Sequence, residues 1–139
     1  MVGRKRHLLT DTIGMLLAVS VHPASVQDRD SAEPLLRQAR RLFPFVERII
    51  GGAGYAGPKM AAAVARTGTS KMEIVRRCDR HRFVVLPNCW IVERTIGWIS
   101  RNHRLVRDFE RHCRIAAFVR MAMIRIMLRR LAAKPSVKS

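Results

Sequence analysis

The chain has 139 residues and 48% apolar residues, which is enough for one domain with a buried core and excludes a disordered tail. Its 27 lysines and arginines against 10 acidic residues give a net charge of +17, which favours a polyanionic partner, most simply nucleic acid, over a merely solvated basic surface. The three cysteines have no zinc or disulfide spacing, so we expect isolated thiols.

The N-terminal third predicts a β-hairpin followed by a helix. Two apolar runs within residues 7–22 flank a turn at residues 11–14 that ends in a glycine, a pattern typical of a hairpin. After a loop, Asp30 suits a helix N-cap with Glu33 as its capping-box partner, and Pro34 is placed in the first turn. An apolar stripe with helical spacing then runs as far as Pro44.

The middle of the chain predicts a strand, a glycine-rich loop, a short helix and a second strand. The strand is "FVERII" (45–50), the loop is "GGAGYAG" (51–57), the helix covers residues 58–66 before Gly68, and "MEIVRR" (72–77) is the next strand. "RFVVLPN" (82–88) is ambiguous, because Pro87 blocks a helix through it. The alternation of strands and helices predicts an α/β fold.

The C-terminal third predicts helices. A helical pattern starts at Trp90, breaks at residues 103–107 and resumes over residues 109–133, so that one domain covers residues 1–133 and residues 134–139 form a disordered tail. The last helix carries four arginines in its most apolar stretch, which excludes a membrane span. No secretory signal opens the sequence, so we expect a cytoplasmic, nucleoid-associated protein.

The loop at residues 51–57 contains a literal G-x-G-x-x-G, for which three explanations are open. The first explanation is a dinucleotide site. Such a site needs an acid at the C-terminal end of the next strand, whereas Glu73 stands at the start of that strand. A P-loop is excluded, because no Gly-Lys-Ser/Thr follows. A turn without a ligand is the second explanation, and the third rests on a resemblance.

The stretches "GRKRHLLTDTIGMLLAVSVHPASVQDRD", "RIIGGAGYAG", "WIVERTIGWISRNHRLVRDFE" and "MAMIRIMLRRLA" resemble, in this order, the DDE transposases of bacterial insertion sequences, in the four/five group of families. The resemblance implies a ribonuclease-H-like fold in which two Asp and one Glu hold two Mg²⁺ or Mn²⁺ ions. The ion pair then supports in-line attack on a DNA phosphodiester.

Compared with this family, the sequence keeps one of the three acids. Glu93 in "WIVERT" matches the family's Glu and is the expected catalytic and metal-binding residue, whereas Gly52 stands where the second Asp is expected. The strand that carries the first Asp would precede "GRKRH", so the domain is expected to be N-terminally truncated. Asp11, Asp28 and Asp30 are weak substitutes, because they lie in the predicted turn, loop and helix cap.

Basic residues near these positions are candidates for contact with DNA phosphates. They are Arg4, Lys5, Arg6, His7, Arg94, Arg101 and Arg104. A solvated strand end is the alternative for residues 4–7, and a surface ion pair with Arg94 or Arg101 is the alternative for Glu93.

The sequence thus predicts a transposase-like protein that binds DNA and, with two ligands missing, does not hold Mg²⁺ or Mn²⁺ alone. A second transposase chain or the product of an upstream frame is the expected source of the missing strand. The alternatives are a non-catalytic basic DNA-binding protein and an unstable pseudogene product.

Overall fold

The computed structural model describes residues 3–68, 71–75, 88–101 and 112–133. The α/β class predicted from the sequence is confirmed. The elements, in chain order, are β1 (Arg4–Thr10), β2 (Leu16–Pro23), α1 (Asp28–Leu42), β3 (Arg48–Gly52), a 3₁₀ turn (Ala53–Tyr55), α2 (Pro58–Thr67), β4 (Lys71–Val75), α3 (Cys89–Ser100) and α4 (His112–Ala132).

The first two strands form the predicted hairpin. β1 and β2 pair antiparallel from Arg4 opposite Pro23 to Thr10 opposite Leu16, so the first strand begins three residues earlier than expected. The carboxylate of Asp11 accepts backbone hydrogen bonds from Ile13 (3.0 Å) and Met15 (2.7 Å) and thereby holds the turn. Hairpin and turn residue were both predictable from the sequence.

A β-α-β unit contains the glycine loop. β3 and β4 pair in parallel, and the 3₁₀ turn and α2 connect them. Gly52 ends β3, two residues beyond the end of the predicted strand, and Gly68 closes α2 with a left-handed backbone (φ 67°), a conformation that glycine adopts without steric cost. β3 itself starts three residues later than the sequence pattern suggested.

Three helices cover the two faces of the hairpin. Alternate residues of β2 point to opposite faces: Val19 packs with α3 and α4, whereas Ala18 packs with α1. α1 also contacts the second sheet, where Leu36 lies in one buried cluster with Ile49 of β3 and Val64 of α2. α1 therefore joins the two small sheets.

The predicted capping box of the first helix is wrong. α1 begins at Asp28 after Gln27, which makes no side-chain cap, so Asp30 lies inside the first turn. There its negative charge interacts favourably with the helix dipole, but its side chain does not cap the helix. Glu33 instead pairs with Arg66 of α2 (2.7 Å). Pro34 lies beyond the first turn, inside the helix.

The helix predicted from Trp90 is confirmed as α3, and the last helix as α4. The ambiguous segment up to Pro87, the break at residues 103–107 and the tail at 134–139 lie outside the described residues. Among the residues that the structure describes, no helix is long and apolar enough to cross a bilayer.

We expect Gly14→Ala to lower the free energy of unfolding by about 2 to 4 kcal/mol, measured by urea denaturation. Gly14 has φ 83°, and a Cβ there would lie 2.9 Å from Oγ1 of Thr95 and 3.3 Å from the ring of Trp98. Gly97→Ala is the matched control, because a Cβ at that helical position meets nothing within 4 Å. It should raise stability by about 0.5 to 1 kcal/mol. Equal effects of the two substitutions would contradict this account of the turn.

Candidate functional site

The glycine loop lies against a polar cluster that is centred on a buried histidine. The cluster consists of Lys5 and His7 of β1, Asp28 and Ser31 of α1, and Tyr55 of the 3₁₀ turn. His7 is 3% exposed, and its ring connects the hairpin, the first helix and the glycine loop. Three segments that lie far apart in the sequence are thus held together at one point.

Both ring nitrogens of His7 have a protein partner. Nε2 lies 3.0 Å from the hydroxyl of Ser31, and Nδ1 lies 2.8 Å from the hydroxyl of Tyr55. The Ser31 hydroxyl donates to the carbonyl oxygen of Asp28 (2.8 Å), so it accepts from His7 Nε2. In the neutral ring Nδ1 is then the acceptor for the Tyr55 hydroxyl.

A lysine and a carboxylate complete the cluster. Lys5 Nζ donates to Oδ1 of Asp28 and to the carbonyl oxygen of Val26, both at 3.1 Å. A Cβ on Gly54 would lie 2.9 Å from the other carboxylate oxygen of Asp28, so glycine at this position allows the carboxylate to approach the loop. A negative group beside the loop disfavours the pyrophosphate of a dinucleotide.

The cluster keeps both of its aromatic titratable groups neutral near pH 7. Burial lowers the pKa of His7 below 6.5, aided by the nearby charges of His22 and Lys5 and opposed by Asp28. Burial, together with the charge of Asp28, raises the pKa of Tyr55. The arrangement therefore joins the hairpin to the loop through neutral hydrogen bonds.

We expect the protein to lose stability as the pH falls below about 6.5. The pKa of His7 is lower in the folded state than in the unfolded chain, so the stabilisation is complete above the unfolded pKa and is lost as the pH falls through the folded pKa. His7→Gln, which cannot titrate, should flatten this part of the curve. Thermal melting of both proteins between pH 5 and 8 measures the difference, and parallel curves would remove His7 as the cause.

Gly52 stands at the open end of β3. A Cβ built there meets nothing within 4 Å, so a larger side chain has room at this position. The two neighbouring glycines differ, since a Cβ on Gly51 would lie 2.7 Å from the methyl carbon of Met72 and one on Gly54 would meet Asp28. Of the three, Gly52 is the position at which a Cβ meets no other atom within 4 Å.

Glu93 is exposed on α3. Contacts with the hairpin turn hold this helix in position. Thr95 Oγ1 donates to the carbonyl oxygen of Gly14 (2.8 Å), and Arg94 Nη2 donates to that of Ile13 (2.7 Å). That Glu93 lies on a helix is confirmed. Since the resemblance assigns Glu93 and Gly52 to one metal site, we expect Glu93 to lie within a few ångströms of residues 51–54, and this closeness stays a prediction.

The two tryptophans of α3 hold arginine side chains. The guanidinium of Arg94 lies 4.5 Å from the ring centroid of Trp90 and 5.0 Å from that of Trp98, and Arg130 of α4 lies 4.8 Å from Trp98. Such cation–π contacts fix the guanidinium groups in place. Arg94 thus serves the docking of α3 as well as any contact with phosphate.

The other basic residues singled out in the sequence lie in different surroundings. Arg101 is exposed at the end of α3, and Arg4, Lys5 and Arg6 are half-buried on β1. Lys5 and the buried His7 belong to the polar cluster. Arg104 lies outside the described residues. Contact of these residues with DNA stays a prediction.

The described residues do not fit a two-ion centre. Gly52 has no side-chain donor and Glu93 is exposed, and within 3–68, 71–75, 88–101 and 112–133 no three His, Cys, Asp or Glu side chains form a possible metal site. Asp28 is paired with Lys5 and Asp30 with Lys59, while Asp11 holds the hairpin turn.

Comparison with known proteins gives one family. The model of the transposase DDE domain matches residues 2–129, which is most of the chain. No curated protein matches the sequence, and no solved structure matches it.

Proposed function

Since the chain belongs to the transposase DDE domain family, we propose that it is a ribonuclease-H-like transposase domain from a bacterial insertion sequence of the four/five group, which binds DNA and does not cut or join it alone. The observation that carries the proposal is Gly52. It ends β3, where the family resemblance expects a metal-binding aspartate, and the space around its Cα is open.

The loss of two of the three carboxylates decides the chemistry. Two divalent ions in a transposase site repel each other and need several carboxylates to neutralise them. Glu93 contributes one charge, and Gly52 contributes none. The metal ions, when held by a complete site, would activate the attacking hydroxyl and stabilise the leaving oxygen.

The presence of two separate two-stranded sheets supports a partner that adds a strand. In the part of the chain that the structure describes, β1 pairs with β2 and β3 pairs with β4, so β1 and β3 each have an unpaired edge. α1 contacts both sheets, and the Tyr55 hydroxyl reaches His7 across them. We propose that a strand carrying the first aspartate, from a second transposase chain or from the product of an upstream frame, pairs with these edges.

The charge distribution supports DNA binding by the side of the molecule that carries α4. The acidic residues of α1 are paired: Asp28 with Lys5, and Glu33 with Arg37 and Arg66. α4 by contrast contains five arginines and no acidic residue. Such an unbalanced basic surface attracts the phosphate backbone of DNA without reading its sequence.

Binding to two unrelated DNA duplexes of equal length tests the proposal. We expect equal affinities in a fluorescence anisotropy titration, because phosphate contacts carry no sequence information. No binding to either duplex would refute it. A strong preference for one sequence would favour a sequence-specific DNA-binding protein, and a tight complex with a nicotinamide dinucleotide would return the loop to the dinucleotide explanation.

The alternative function, a non-catalytic basic DNA-binding protein, differs in one measurable respect. A transposase remnant should regain metal-dependent strand cleavage when both missing acids are restored, whereas an unrelated DNA-binding protein should not. The open space at Gly52 favours the remnant, since the Cβ of an aspartate meets no other atom within 4 Å there.

A further inference from the structure

α4 has two apolar stripes on opposite sides. The inner stripe contains Ile115, Val119 and Met123, which are buried against the hairpin and α3. The second, which we call the outer stripe, contains Ala117, Met121, Ile124, Leu128 and Leu131. With about 100° per residue its members centre on the side of the helix opposite the buried one.

The outer stripe is exposed to solvent. Met121 is 63% exposed, Ile124 50%, Leu128 59% and Leu131 83%. Isolated apolar side chains on a surface are common, but a continuous row along one helix marks an interaction surface. Contact with DNA phosphates requires none of these side chains.

The spacing within the outer stripe indicates a helix as its partner. The five positions follow one another by four, three, four and three residues, which is the a/d pattern of a two-helix coiled coil. A helix that only lies on a membrane surface needs no such regular spacing, because lipid can contact any broad apolar face. The seam covers two heptads on a helix already held by the core.

Charge decides which helix can pair with it. Arg120 and Arg125 occupy two of the positions that flank the seam, and two others are held by Phe118 and Met127, which pack against the core. α4 has no acidic residue. A second copy of α4 would bring arginines together across the seam in either orientation, which is unfavourable. A helix with glutamates or aspartates at its flanking positions would pair each arginine with an opposite charge.

We propose that the outer stripe binds an acidic amphipathic helix of another protein, which packs apolar residues on Met121, Ile124 and Leu128 and pairs its carboxylates with Arg120 and Arg125. This surface is independent of the lost acid at Gly52. The partner helix covers arginines that also belong to the basic side of the molecule, so its binding would compete with DNA there.

Designed peptides of three heptads test the proposal in fluorescence anisotropy titrations with the full chain. The first has leucine at the a and d positions and glutamate at e and g; the second keeps the glutamates but has serine at a and d; the third keeps the leucines but has lysine at e and g. We expect the first to bind at least about tenfold more tightly than either of the others.

Two double variants locate the surface. Ile124→Ser with Leu128→Ser should weaken binding of the first peptide by about tenfold or more, and circular dichroism should show an unchanged fold because both side chains are exposed. Ile13→Ser with Phe45→Ser, which removes two exposed apolar side chains elsewhere, should leave binding unchanged.

Several results would overturn the proposal. Equal binding of the leucine and serine peptides would mean that the contact depends on charge alone. Equal losses of affinity in the two double variants would mean that the peptide does not bind at the outer stripe. A dimer of the wild-type chain in sedimentation that the stripe variant abolishes would assign the surface to a second copy. Binding to anionic vesicles through the outer stripe, without binding of the first peptide, would assign it to a membrane.

Discussion

Supercoiled plasmid incubated with the purified protein and Mg²⁺ or Mn²⁺ will stay closed, with no nicked or linear product above the protein-free background. Two divalent ions held about 4 Å apart repel with four times the energy of two unit charges at that distance. Glu93 offers one negative charge against four positive charges, and Gly52 offers none. Agarose gel electrophoresis measures the products.

Restoring one acid will not be enough. Gly52→Asp should fold normally, because a Cβ at this position meets nothing within 4 Å, yet we expect it to remain inactive. Activity should require this change together with an added strand that carries the first aspartate. Gly52→Asn in the same extended protein is the matched control, since it has the same size without the charge.

The opposite result would have a definite meaning. Metal-dependent cleavage by the unmodified chain, lost in Glu93→Ala, would show that other carboxylates replace the missing ones. Asp11, Asp28 and Asp30 are each engaged in the described structure, in the turn and in pairs with Lys5 and Lys59. Those contacts would then have to break on metal binding.

Local sequence signals predicted the hairpin and α2 well. Asp11 and Gly14 fix a turn through their own backbone and side-chain geometry, and Pro58 and Gly68 mark the two ends of a helix. These residues act over a few positions in the sequence. Their effect can therefore be inferred without knowledge of the rest of the fold.

The first helix shows where such signals fail. The pattern of Asp30 and Glu33 has the spacing of a capping box, but both side chains make ion pairs with α2 instead, through Lys59 and Arg66. A tertiary partner thus replaced the local one. In addition, Asp28 is held by Lys5 of β1, and the N-cap is Gln27, three residues before the predicted one.

The polar cluster around His7 could not have been predicted from the sequence. Its hydrogen bonds join His7 to residues 24 and 48 positions away, Ser31 and Tyr55, and no spacing rule connects such distant positions. Gly54 had a local signal as a loop glycine, but its close neighbour Asp28 comes from another element. The resemblance to transposases, by contrast, assigns roles to Gly52 and Glu93 by their position in the sequence alone, and these roles stay predictions.

The affinity for duplex DNA should fall by about 10³ to 10⁵ between 50 and 200 mM salt, if the protein neutralises about 6 to 10 phosphates. Each contact releases a condensed counterion, so the logarithm of the association constant falls with the logarithm of the salt concentration, with a slope near −0.9 per phosphate. The net charge of +17 and the excess of arginine motivate this expectation. Anisotropy titrations at four or five salt concentrations give the slope.

Two triple variants with the same change in net charge separate the basic surface of α4 from the total charge. The first replaces Arg120, Arg125 and Arg129 of α4 by glutamine, and all three are exposed. The second replaces Arg37, Lys59 and Arg66, each of which is paired with a carboxylate of α1. We expect the first to make the slope less steep by about two to three, because each of its arginines faces solvent on the side that we assign to DNA.

The second triple variant should change the slope by less than about one, since its cations already have partners and release fewer counterions on binding. Equal changes would mean that DNA senses only the total charge, and a larger change in the second would move the binding surface to α1 and α2.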